Sequence, residues 1–222
     1  EGPRLDRTAG VGDNGRMSDV EGRIREMYEG DRAQEALTLA FESYGGEIMG
    51  LLLSMCRSED HASEAFLVFS ADVVAGIGTF SWQSPLRSWM YAVARNAMNR
   101  FYRNPHNQAG RHLRLDDMLH LSQEVERVRT ATLEYRKTEV KDAVRALRDQ
   151  LDADDRMLLT LRVDRAMAWQ DVARAFLPPD SDPSPQDLSR EAAKLRKRFE
   201  RAKDRLRELA VAAGLIPGPS ET

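Results

Sequence analysis

The sequence predicts an all-α protein of two small helical domains, on three observations. Apolar residues recur at spacings of three and four along several segments, which sets them on one face of a helix. No segment alternates apolar and polar residues for long enough to form a strand, and no repeat at solenoid periods is present. Two Ser-Pro pairs, Ser84-Pro85 and Ser184-Pro185, stand where helices would begin. The serine can cap free amides, and proline fits the first helical position, where a missing N–H costs nothing.

Residues 1–33 lack this patterning. Met17 follows a stretch rich in Gly, Asp and Arg, and the segment is expected to be a disordered N-terminal extension. The first domain is expected over 34–104. Its first helix shows Leu37, Phe41, Tyr44, Ile48, Leu51, Leu52 and Met55 on one face, weakened midway by Gly45 and Gly46. A second helix runs from about Ser63 to Ile77, stopped near Gly76 and Gly78, and a loop then carries Phe80, Ser81, Trp82 and Gln83. The third helix has an apolar stripe of Leu86, Trp89, Met90, Val93, Ala97 and Phe101. Arg87, Tyr91, Arg95 and Asn99 form a second face at successive i,i+4 steps.

Residues 105–137 carry Pro105, Gly110 and mixed charge and are expected to be a linker. The second domain is expected over 138–212. Its helical patterns include Val140, Val144, Leu147 and Leu151, then Met157, Leu158 and Leu161, then Trp169, Val172, Ala173 and Phe176. Each is too short to be stable alone, so they must pack together. The run Pro178–Pro185 interrupts the helices, a last helix follows, and 213–222 are expected to be a disordered tail.

Composition narrows the function classes. The 33 Lys and Arg residues are offset by 36 Asp and Glu, a net charge of -3, so binding to nucleic acid has to rest on where cations cluster. The single cysteine, Cys56, excludes an internal disulfide; it lies beside Leu51, Leu52 and Leu53 as a small core residue and fits a reducing cytoplasm. No apolar stretch approaches the roughly 20 residues that cross a bilayer, and no charged-then-apolar leader opens the chain, so neither membrane insertion nor secretion is expected. His61, His106, His112 and His120 are scattered without metal-ligand spacing, and there is no glycine-rich phosphate loop or nucleophile elbow. Neither catalysis, a metal nor a cofactor is expected.

The last helix is the densest cation cluster, with Arg190, Lys194, Arg196, Lys197, Arg198 and Arg201 followed by Lys203, Arg205 and Arg207. Preceded by the short helix Trp169–Phe176, it has the order of a helix-turn-helix, whose second helix enters the major groove. The same helix also repeats Leu188, Ala192, Leu195, Phe199, Ala202, Leu206 and Leu209 at fours and threes, a heptad seam suited to self-association. Periodicity alone leaves both readings open.

Ser84-Pro85-Leu86-Arg87-Ser88-Trp89-Met90-Tyr91 followed by Ala94-Arg95-Asn96 resembles region 2 of the extracytoplasmic-function (ECF) group of sigma-70 family RNA polymerase sigma factors. Ala62 to Phe80 is similar to the family's preceding helix and loop. Glu200-Arg201-Ala202-Lys203-Asp204-Arg205-Leu206-Arg207 is similar to the end of its region 4 recognition helix. The resemblance implies a cytoplasmic transcription initiation factor that binds core RNA polymerase and promoter DNA and is held by an anti-sigma factor. On that reading the minus-ten element would meet Ser81, Trp82, Gln83, Arg87, Tyr91, Arg95 and Asn96. A ring at Trp82 suits capture of an unstacked base; packing within the loop is its other reading. The minus-thirty-five element would meet Arg190, Lys194, Arg196, Lys197, Arg198 and Arg201.

The chain departs from the family in three places. Leu67 and Val68 stand where it places a Gln-Glu pair, so the polymerase-binding set reads Asp60, Glu64, Leu67 and Val68. The Pro178–Pro185 insert lengthens the turn of the helix-turn-helix. Ala168 replaces the polar cap before Trp169. Two alternatives follow: a sigma-like helix-turn-helix regulator that no longer binds polymerase, and a helical protein that self-associates through its last helix.

Overall fold

A computed structural model describes residues 11–56, 58–103, 123–128, 130 and 142–217, and among them there are helices and turns but no strand. The all-α class that the periodicity predicts is the class observed. Eight helices are named here: α1 (Val11–Glu29), α2 (Ala33–Met55), α3 (Glu59–Gly76), α4 (Leu86–Arg103), α5 (Asp142–Arg148), α6 (Ala153–Leu159), α7 (Trp169–Phe176) and α8 (Pro185–Ala212). His106, His112, His120 and much of the expected linker lie outside the described residues, as do 1–10 and 218–222.

The expected disordered extension is corrected over 11–29, which form α1. Val20, Ile24, Met27 and Tyr28 follow helical spacing, and Ile24 is fully buried with the other three packed beside it. Four apolar residues isolated among charges give a weak sequence signal, yet they suffice once α2 offers a surface. α2 in turn runs through Gly45 and Gly46 without a break. A Cβ on Gly45 would lie 3.1 Å from Cγ1 of Val128, so the glycine is where helical segment 123–128 crosses α2 closely. Val125 and Val128 are buried there, which corrects the linker expectation for this segment.

α3 starts earlier than its periodicity suggested, because the Ser58 hydroxyl accepts a hydrogen bond from the His61 amide at 3.1 Å and caps the helix at Glu59. Glu59–Thr79, with mean hydropathy 1.3, is long and apolar enough to cross a membrane by length and composition. Half of it is buried inside the protein, where Phe66 and Phe69 meet each other at 5.5 Å and Phe69 meets Phe41 of α2 edge-on at 5.8 Å. Cys56 is buried at the end of α2, as its leucine neighbours suggested, and burial pushes its thiol up.

α4 lies on α3 through the expected stripe: Leu86, Trp89, Met90, Val93, Ala97 and Phe101 are all buried. α7 covers a further side of α4, α6 rests on α2, and α8 lies across α6 and α7. One apolar cluster therefore runs without interruption from Ile24 to Leu195. Arg156 of α6, itself buried, donates to the carbonyl of Met55 at 2.6 Å and so satisfies an orphan acceptor at the C-terminus of α2.

Truncating the centre of this core should be costly. Phe66→Ala is expected to lose about 3–5 kcal/mol of unfolding free energy in urea titration, while the half-exposed Leu215→Ala stays within about 0.5 kcal/mol.

Candidate nucleic-acid interface

α8 begins at Pro185 as the Ser-Pro pair suggests. The Ser184 hydroxyl accepts from the Asp187 amide at 3.2 Å, the Asp187 carboxylate accepts from the Ser184 amide at 3.2 Å, and the two close a capping box. Ala192 and Leu195 join the core cluster, with Leu188 and Phe199 packed against it, and Ala202 is also buried. Most of the heptad seam is thus used inside the chain. On the opposite side Arg190, Lys194, Lys197, Arg201 and Arg205, at steps of four, three, four and four, form one exposed cationic stripe.

The six expected duplex contacts divide. Arg190, Lys194, Lys197 and Arg201 share the stripe, and among the described residues Lys197 and Arg201 have no carboxylate partner. Arg196 instead lies over the Trp169 ring at 5.4 Å, together with Arg162 at 4.7 Å. Arg198 is held by Asp155 at 2.5 Å, Asp152 at 2.7 Å and Asp154 at 3.2 Å. Arg205, named in the cation cluster but not among the six expected duplex contacts, joins the stripe; its helical register with Arg201 was the available signal.

α7 precedes α8 as the first helix of the pair. Ala168 makes no side-chain cap, as its apolar side chain requires, and Trp169 meets Phe199 of α8 edge-on at 5.6 Å. The Pro-rich connection is organised by Arg174, 3% exposed, which donates to the carbonyls of Pro178 at 3.1 Å, Pro179 at 3.1 Å and Ser181 at 3.3 Å. Arg174 also donates to the Ser84 hydroxyl at 3.2 Å. Nothing in the periodicity marks this residue, because its role depends on carbonyls that only the folded turn brings together.

The α4 face expected to hold a DNA backbone is covered. Arg87 is buried and donates to Glu47 at 2.9 Å, and the fully buried Tyr91 hydroxyl donates to the same oxygen at 2.8 Å. Burial and the Glu47 charge push the Tyr91 hydroxyl up. Arg95 makes a fork to Asp154 at 2.9 and 3.0 Å, reaches the Phe176 carbonyl at 3.3 Å and lies over the Phe176 ring at 4.9 Å. Asn96 is half-buried. Trp89, on the apolar stripe, donates from its indole N–H to the Pro179 carbonyl at 3.0 Å.

At the start of α4 the Glu21 carboxylate of α1 accepts from the Arg87 amide at 2.9 Å, with the Tyr44 hydroxyl also directed at it from 3.5 Å. In the preceding loop Ser81 and Gln83 are exposed and Trp82 is half-buried. Trp82 has φ of 58°, in the left-handed region, and its ring lies between Phe80 at 5.0 Å and Tyr28 of α1 at 6.1 Å.

On α3, Asp60 is exposed and Glu64 and Leu67 are half-buried, whereas Val68 is buried in the core cluster. Asp60, Glu64 and Leu67 therefore share an accessible face, and Val68 does not belong to it. No family model, curated protein or solved structure matches the chain.

Burial raises the Glu21 carboxyl above its ordinary 4.5 against the opposing backbone amides. A carboxyl raised on folding stabilises fully below the unfolded value and less as pH climbs through the folded one. Glu21→Gln keeps the acceptor and removes the charge. It should match the parent near pH 4 and exceed its stability at neutral pH, by denaturant titration across that range.

Proposed function

We propose that the chain is a sigma factor of the ECF type, which binds core RNA polymerase in the cytoplasm and directs it to promoter DNA without a cofactor or catalysis of its own. The exposed stripe Arg190–Lys194–Lys197–Arg201–Arg205 on the second helix of a helix-turn-helix carries the reading. Such a helix suits the major groove, and its cations suit phosphates or guanine edges. The likeness of residues 84–96 to sigma region 2 supplies the rest: α4 and the loop Ser81–Gln83 would serve the minus-ten strand, with Trp82 as the base-capturing ring. Asp60, Glu64 and Leu67 would face the polymerase clamp. An anti-sigma partner belongs to the same proposal.

The burial of Val68 favours one second reading, a sigma-shaped DNA-binding regulator without polymerase. With one of the two departed positions turned inward, the accessible clamp face is reduced to a half-buried Leu67 and two acids. The self-association reading is weaker, since most of the heptad seam is covered within the chain.

Gel filtration with core polymerase separates the first two. A complex that yields promoter-dependent transcripts supports the sigma reading, and a chain that binds duplex without joining polymerase supports the regulator. Absence of duplex binding at low salt would sink both. For the stripe itself, Lys197→Ala and Arg201→Ala should each lower the slope of log affinity against log salt by about 0.9, measured on a promoter duplex by anisotropy.

A further inference from the structure

α1 lies outside the stretches that resemble sigma regions, and its hold on the rest of the chain is narrow. Ile24 is fully buried and Val20, Met27 and Tyr28 pack beside it, while Arg23, Arg25, Glu26 and Glu29 remain exposed. So small an apolar face leaves a helix of this length dependent on the surface it docks against. A turn at Gly30 and Asp31, where Asp31 has φ of 61°, separates it from α2. Its buried polar attachment is the Glu21 carboxylate, met by the Arg87 amide at 2.9 Å and the Tyr44 hydroxyl at 3.5 Å.

The groups round that carboxylate come from three other helices. α2 brings Tyr44 and Glu47, α4 brings Arg87 and Tyr91, and α7 brings Asp171. Arg87 pairs its guanidinium with Glu47 at 2.9 and 2.8 Å, and the Tyr91 hydroxyl donates to the same carboxylate. Arg165, from the turn after α6, acts on Tyr91. Three carboxylates therefore share the surroundings of one ion-paired guanidinium, and Glu21 receives a backbone amide and a hydroxyl. Burial and the Asp171 charge disfavour ionisation of Glu21, and the amides at the start of α4 oppose them without prevailing.

We propose that α1 is a detachable arm whose docking takes up one proton at Glu21, so that the arm is seated at low pH and released as pH rises. A carboxyl that holds its proton more tightly when docked stabilises the docked form fully below the value it has in water. That contribution is lost as pH climbs through the docked value. Release carries Tyr28 away from Trp82 and from Gly78, where an added Cβ would lie 3.2 Å from the Tyr28 hydroxyl. The flank of the loop Ser81–Gln83 then opens to whatever partner it takes, so the arm does not rest on the sigma reading.

Amide hydrogen exchange of the full chain, read by mass spectrometry from about pH 5 to about pH 8 and corrected for the intrinsic base-catalysed rate, follows the arm directly. Peptides covering 20–29 should be less protected than those covering Phe66–Phe69 at every pH, since the arm leaves a body that stays folded. Their protection should fall about tenfold across the range, within the limit of about tenfold per pH unit that one proton sets. Glu21→Gln, which keeps the acceptor and cannot ionise, should hold its protection level throughout. Ile24→Ala removes apolar contact but not the carboxyl, so it should lower protection of the arm at every pH and keep the slope. Asp171→Asn, which removes the like charge, should make the fall smaller. The proposal is overturned by a parental arm whose protection does not fall with pH, or by a Glu21→Gln arm that falls as the parent does. An arm that exchanges only as slowly as Phe66–Phe69 overturns it as well.

Discussion

Asp154 stands between two arginines. Arg95 of α4 forks onto it from one side, and Arg198 of α8 reaches it from the other. Both cations hold its carboxyl below the usual aspartate range against the opposing effect of burial. The helix that carries it, α6, is itself fixed by the Asp152 cap and by Arg156 on the Met55 carbonyl. One carboxylate therefore ties α6 to both α4 and α8, beside the apolar contact that α7 makes with α4. Such a partly buried triad contributes specificity of arrangement more than net stability, because desolvation offsets much of its Coulombic gain.

The helix pair α7–α8 depends on this placement only at its edge. Trp169 receives Arg162 and Arg196 on its ring and Phe199 against its edge, so the angle between the two helices is set by aromatic packing despite the long proline-rich turn. Arg174 then converts the turn into a fixed element by gathering its carbonyls. An insert that looks, in sequence, like slack becomes an ordered turn in the fold.

Much of the fold was legible because helices announce themselves locally. The Ser184-Pro185 start, the Leu86–Phe101 stripe and the Trp169–Phe176 segment follow from spacing and capping alone, since those depend on residues three or four apart. What escaped depends on contacts distant in sequence. α1 is drawn into a helix by α2, Glu21 reaches the first turn of α4 from another helix, and Gly45 of α2 makes sense only with Val128 beside it. The cationic stripe of α8 could be read from register. The fates of Arg87, Tyr91, Arg95, Arg196 and Arg198 could not, because a polar helical face reads the same whether it meets solvent or another helix.

α1 touches the candidate strand-binding region at two points of different kind. Glu21 supplies the acceptor at the start of α4, and Tyr28 flanks the ring of Trp82 where the backbone sits at a positive φ. A non-glycine residue in that conformation stores roughly 1–2 kcal/mol that neighbouring contacts must hold. α1 therefore works as a catch on a loaded loop. Its departure would free the indole to relax and would, in the same movement, uncap the helix to which the loop leads, so the aromatic ring and the first turn of α4 are geared together.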